Sequence, residues 1–216
     1  MDEIDKLLHQ SRMLWRGSEV KNYREKICSL STGYQVFDDI LPENGWPCGA
    51  LVDLILPWHQ QQVLHGIGEL SLLMPAMRCL LAQEKWLLWV APPYIPYAPA
   101  LEFGGINLDR LVLLPHTISC RDKLWAMEKA LRTAACGMVV CWIDNVSMAA
   151  GRRLQLAAEQ SGAIGVLMQT RMITASVSSL RLKLKPLPLG LLIEIIKVRG
   201  ASRYLGVELQ LYKDTI

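Results

Sequence analysis

The sequence predicts an α/β domain: a mostly parallel sheet covered by helices and closed on one side by C-terminal antiparallel strands. Three observations carry this. Short apolar runs, such as residues 137–143 and 163–169, alternate with stretches of helical period, the pattern of βαβ units joined by right-handed crossovers. Those runs are apolar throughout, as strands buried on both faces are. From Leu180 the pattern becomes strict alternation, Leu180-Arg181-Leu182-Lys183-Leu184-Lys185, and alternation resumes over residues 204–212, which marks an antiparallel meander.

Composition narrows the class. A chain of 216 residues fits one domain plus an extension, expected as an N-terminal helix and linker over 1–28 and a main domain over 29–216. With 51% hydrophobic and 20% charged residues, a large core is expected and disorder is not. A net charge of +3 is too small to argue for nucleic acid. The six cysteines lack C-x-x-C spacing and read as reduced core thiols, and the four histidines show no metal-ligand spacing, so no metal is expected. The acidic start has no signal-peptide pattern, and the longest apolar stretch, Trp86 to Leu101, is broken by four prolines. A cytoplasmic protein without a membrane span is expected.

Taken in order, Ile4, Leu7, Leu8, Leu14 and Trp15 give residues 1–16 one apolar helical face, ended by Gly17. A short helix is expected over 34–41, a turn-rich loop over 42–49 and a compact apolar strand over 50–56. Residues 69–83 read as a helix apolar almost all round, with Pro75 beginning or kinking its regular part. A strand at 86–91, a proline-rich loop over 92–99, a short helix and a buried strand at 111–114 follow. Ser119 with Asp122 forms a capping box for a helix over 120–135, with Leu124, Met127, Leu131 and Ala134 on its core face. Ser147 caps a helix over 148–161 that Gly162 ends.

Glycines before a helix and after a strand stand where a phosphate-binding loop would be, but the chemistry of such a loop is missing. In G-x-x-x-x-G-K-[ST], backbone N–H groups and a lysine hold phosphates, and a hydroxyl meets Mg²⁺. With Gly68 as the second glycine, Val63 replaces the first, Glu69 the lysine and Leu70 the hydroxyl; starting from Gly66 fails equally. A carboxylate in that place repels a triphosphate. No catalytic residue and no cofactor are expected.

The order of elements resembles the RecA ATPase core over residues 29–213. Leu30-Ser31-Thr32-Gly33 with Asp38 and Gly49 looks like the approach to its P-loop, and Gln169-Thr170-Arg171-Met172 like its sensor glutamine and second DNA-binding loop. Ile196-Lys197-Val198-Arg199 looks like its basic pair that reaches a neighbour's nucleotide. The resemblance implies a RecA-like P-loop-NTPase-type core with a degenerate nucleotide site. Ala91-Pro92-Pro93 replaces its acidic base, and its Walker B aspartate falls on Cys141 or Trp142. A closer resemblance is to the RecA-like accessory proteins of bacterial mutagenesis cassettes, the ImuA family. It rests on Leu14-Trp15-Arg16-Gly17, on residues 45–51, on Gly66-Ile67-Gly68-Glu69-Leu70, on residues 91–101 and on residues 152–159. The SOS cell-division inhibitor SulA is a shorter relative of that lineage and caps a tubulin-like partner.

The ImuA resemblance implies a non-catalytic adaptor in translesion DNA synthesis. Its implied partners are the RecA recombinase, an inactive Y-family polymerase-like protein and a replicative-type error-prone polymerase, with DNA contact weak or indirect. The alternatives are a SulA-like inhibitor of cell division, against which residues 1–28 and the full meander argue, and a divergent ATPase. Leu14 and Trp15 are expected in a partner arm. Trp46, Trp58, Tyr94 and Tyr97, at strand ends where α/β sheets bind ligands, either anchor a partner or fill the space that nucleotide vacated. Arg152 and Arg153 are candidate partner contacts that could also grip phosphates, but they read more readily as a solvated helix face, because adjacent helical residues diverge. Arg181, Lys183 and Lys185 read as edge protection rather than a DNA stripe.

Overall fold

The computed structural model describes residues 28–59, 62–171, 176–198 and 206–211. The expected helix over 1–16 and the linker after it lie outside those residues, as do Leu14, Trp15 and Arg199. The first described elements form a small ladder. Strand β1 (Ser29–Leu30) pairs antiparallel with β2 (Trp46–Pro47), a strand inside what the sequence reads as a turn-rich loop. Between them, helix α1 (Gln35–Asp38) is tied back by its own carboxylate: Asp38 accepts from Ser31 Oγ at 2.6 Å and from the Thr32 N–H at 2.8 Å. The Ser31-Thr32 and Asp38 motif is thus a structural clasp.

Strand β3 (Ala50–Ile55), buried at every position, is the strand from which the sheet spreads both ways. A two-residue hairpin, β4 (Trp58–His59) with β5 (Gln62–Val63), follows it. The remaining strands are β6 (Trp86–Val90), β7 (Leu111–Leu114), β8 (Cys136–Trp142), β9 (Ile164–Gln169), β10 (Leu180–Leu187), β11 (Gly190–Val198) and β12 (Gly206–Gln210). The sheet has eight strands in the order β12-β11-β10-β3-β9-β8-β6-β7. Pairing is parallel from β10 through β3 to β7, and antiparallel across β10, β11 and β12. A large mostly parallel sheet with a C-terminal meander is therefore present, as expected.

Helices cover both faces. Helix α2 (Glu69–Ala82) packs Leu72, Leu73, Ala76 and Met77 into a core with Trp89, where Trp89 and Trp142 meet edge to face at 6.1 Å. Its exposed Arg78 and Cys79 show that it is not covered all round. Pro75 sits inside it and has no N–H for the Ser71 carbonyl. Tyr34 supplies the missing donor, its hydroxyl reaching Ser71 O at 3.1 Å. Gly33 lets this happen: at φ +85° a side chain there would be strained, and its Cβ would fall 2.3 Å from Pro75 Cβ. Helix α3 (Ala98–Phe103) follows β6. On the other face, α4 (Cys120–Leu131) and α5 (Met148–Ser161) bury Met127, Leu131, Leu154 and Ala157. The caps are those the sequence predicts. Ser119 accepts the Asp122 N–H, Ser147 accepts the Ala150 N–H, and Gly162 ends α5 at φ 78°. Helix α4 stops at Leu131, short of the expected residue 135, and Ala134 is exposed.

Two placements escape the apolar pattern. Strand β7 is a sheet edge rather than a buried strand, with Val112 and Leu113 each more than two-fifths exposed. Asp53, in the middle of β3, has no exposed surface. Ser176 and Ser178 donate their hydroxyls to it at 2.7 and 2.5 Å, and Arg181 Nε lies 3.0 Å from Oδ2. That approach is an ion pair without hydrogen-bond alignment, since neither Arg181 Nε nor Nη2 has a hydrogen-bond partner. The segment before β10 is strapped to the sheet there, with Ser179 N–H donating to Leu51 O at 2.9 Å.

Candidate functional site

The glycine loop enters α2 by a left-handed turn at Gly68, with φ 112°. Such an amino terminus presents free N–H groups and favours an anion. The chain supplies that anion itself. Glu69, 3% exposed, turns back so that Oε1 accepts the Gly66 N–H at 2.8 Å, while Oε2 is buried without a hydrogen-bond partner. A carboxylate thus occupies the kind of place a phosphate oxygen would take. Gly66 itself is exposed, and Leu70, half-buried, adds to the apolar core. The loop is closed by its own side chain.

The other positions that the RecA resemblance singles out do not converge on this loop. Gln169 lies under α5, on the face opposite α2, in a cavity of about 10 Å³ lined by Leu51, Ser147, Gly151, Leu167 and Val177. That volume suits a single water, and Gln169 Oε1 has no hydrogen-bond partner in it. Lys197, level with Asp53 across the sheet, spends its ammonium on the Ser176 carbonyl at 2.7 Å. Arg171 is exposed. The structure therefore assembles no nucleotide site from Gly66, Gly68, Glu69, Gln169 and Lys197. Nor does the basic tail form a stripe: Arg181 is buried against Asp53, and Lys185 and Lys183 flank Glu194 at 2.5 and 4.0 Å.

The aromatic residues separate cleanly. Trp46 is fully buried, edge to face with Phe37 at 5.5 Å, so its expected place in a partner contact is wrong; it is core. Tyr94 and Tyr97 are 72% and 73% exposed. The loop that carries them leaves β6 through Ala91 at φ 56° and runs through Pro92, Pro93 and Pro96 into α3. Proline fixes φ at three positions of this loop and cannot donate to a ladder, so the loop does not extend the sheet. Ile95 and Phe103, at 95% and 97% exposure, complete a surface of four large apolar side chains. Leu101 and Ile106 anchor it from beneath, and Tyr94 meets His65 of the glycine loop edge to face at 6.2 Å. Several large apolar side chains left exposed along one loop and helix point to a protein-interaction site, and tyrosine is prominent among the residues that dominate such contacts. Ile95 and Phe103 were missed in the sequence, although four prolines around apolar side chains were the available signal. Arg152 and Arg153 are exposed on α5, Arg153 3.6 Å from Glu128 of α4, which fits a solvated face. Among the described residues, no group of His, Cys, Asp or Glu is placed to hold a metal, and no helix is long and apolar enough to cross a membrane.

Comparison with known proteins gives this surface a context. The family model described as "Cell division inhibitor SulA" matches residues 54–165, from the end of β3 to the start of β9. The curated relative from Serratia proteamaculans is 31% identical over 126 residues, covering 58% of this chain and 71% of its own length. That from Pectobacterium carotovorum is 33% identical over 99 residues, covering 45% of this chain and 58% of its own length. The crystal structure of SulA from Pseudomonas aeruginosa is 27% identical, with 56% of this chain and 98% of that chain covered at a TM-score of 0.43. The family model and the curated relatives overturn the expected adaptor of translesion synthesis, and they lend no support to its recombinase and polymerase partners. Residues 1–28 and the meander, taken as arguments against division inhibition, merely flank the matched stretch. The chain belongs to the family of the cell division inhibitor SulA.

Proposed function

We propose that this protein is an SOS-induced inhibitor of cell division that acts in the cytoplasm by stoichiometric contact with a polymerising, tubulin-like partner. The observation that carries the reading is the family match, because residues 54–165 contain the whole apolar surface from Tyr94 to Phe103. The strand order supports a RecA-like core of the P-loop type whose nucleotide site is degenerate, and Glu69 in the glycine loop supports a contact that needs no nucleotide. The mechanism is then occupancy without turnover: a rigid, proline-held apolar surface covers a face that the partner needs for its own assembly. Expression of the full chain from an inducible promoter in a rod-shaped bacterium tests this. Undivided filaments are expected, and normal cell lengths at full expression would overturn the proposal.

A further inference from the structure

Three of the six cysteines are exposed, contrary to the expectation of core thiols, and two of the six stand opposite one another. In the β1–β2 ladder Ser29 faces Pro47 and Leu30 faces Trp46, so the next pair along is Cys28 with Cys48. The ladder reaches that pair, because the Cys48 N–H donates to Cys28 O at 2.9 Å. Directly opposed antiparallel residues have Cα atoms roughly 4.5–5.5 Å apart, within the range of about 4.4–6.8 Å that a disulfide spans.

We infer that Cys28 and Cys48 form a redox-modification site, closed to an intramolecular disulfide by small-molecule disulfides of the oxidised glutathione class. Cys28 is exposed and Cys48 half-buried, which sets the order of events. The Cys28 thiolate attacks the small disulfide, forming a mixed disulfide and releasing one thiolate. Cys48 then loses its proton to solvent and displaces the second small thiol, forming the Cys28–Cys48 bond. Two protein thiols and one disulfide become one protein disulfide and two small thiols. Burial and the neighbouring Cys28 push the Cys48 thiol up to about 12, so it is a poor first nucleophile and acts through proximity. The bond would pin residue 28 to the segment that feeds β3, the central strand. Cys79, exposed on α2, is the nearest competitor, since it also bears on the charge of Cys48.

The test treats the folded full-length protein with oxidised glutathione, blocks free thiols and digests it at glutamate without reduction. Glu43 lies between the two cysteines, so their disulfide joins two separate peptides. The Cys28–Cys48 species should exceed any other pairing at least about tenfold, reflecting the effective concentration of opposed residues. It should vanish on reduction, disappear in Cys28→Ser and persist in Cys79→Ser. The same treatment in urea controls for folding and should scatter the pairings. A dominant Cys48–Cys79 bond, a Cys28 adduct that goes no further, or intermolecular pairing would overturn the proposal.

Discussion

Replacing Arg181 with Met removes the only charge that faces the buried Asp53 among the described contacts, and the structure sets the size of the effect. Asp53 has no exposed surface and keeps the Ser176 and Ser178 hydroxyls after the substitution, but its charge stays buried without a counter-ion. Breaking one partner of a buried pair costs about 3–5 kcal/mol, and the two retained hydroxyls place this case near the lower figure. For a domain of this size each kcal/mol moves Tm by roughly 2–4 °C, so a fall of about 6–12 °C is expected. The double variant Asp53→Leu with Arg181→Met replaces the pair by apolar volume and should recover most of the loss, since such replacements are often neutral. Urea unfolding followed by far-ultraviolet dichroism measures four proteins: the parent, Arg181→Met, Asp53→Leu and the double variant. The expected coupling of Asp53 and Arg181 is about 0.5–3 kcal/mol by double-mutant cycle. An Arg181→Met protein that melts within about 1 °C of the parent would refute the argument, because ordinary surface substitutions do no more.

Two further outcomes follow from exposure and burial. Phe103→Ser combined with Tyr97→Ala should weaken partner binding by at least about tenfold, since burying one such side chain is worth roughly 1.5–3 kcal/mol. Both residues are largely exposed, so unfolding stability should stay within about 0.5 kcal/mol, and co-sedimentation with the partner's polymers separates the two effects. For pH, burial pushes the Cys141 thiol up from 9.0 to about 12. A raised folded value means that stability is fully present below pH 9 and is lost as pH rises toward 12, because the unfolded chain ionises first. Alkaline melting of Cys141→Val should therefore fall less steeply over that window than that of the parent.

The strands and caps were legible because their causes are local. Residues 136–142 and 164–169 are apolar at nearly every position, and Ser119, Ser147 and Gly162 act on neighbours three or four residues away. What stayed hidden depends on distant partners. Asp53 disappears inside an apolar run, and the arginine that faces it lies on β10, with four strands of the sheet between them in the chain. Trp46 looked like a loop aromatic until β1 and Phe37 enclosed it. Strand β7 has the composition of a buried strand, and only sheet order makes it an edge. The thiols misled for the same reason: Cys79 sits in an apolar helix sequence yet faces solvent.

The carboxyl end of the parallel strands is where an α/β sheet ordinarily receives a ligand, and two local substitutions change what it can receive here. Glu69 places a carboxylate on the N–H that an incoming anion would need, so a phosphate would have to displace a charge that is covalently present. Binding there costs more the more negative the ligand is. At the end of β6, the prolines after Ala91 lack backbone donors, and the large apolar side chains beside them stand in solvent, which suits a flat partner surface better than a small polar ligand. His65 and Tyr94 join the two loops edge to face. On the proposed reading, one end of the sheet has exchanged a crevice for a protein-binding face.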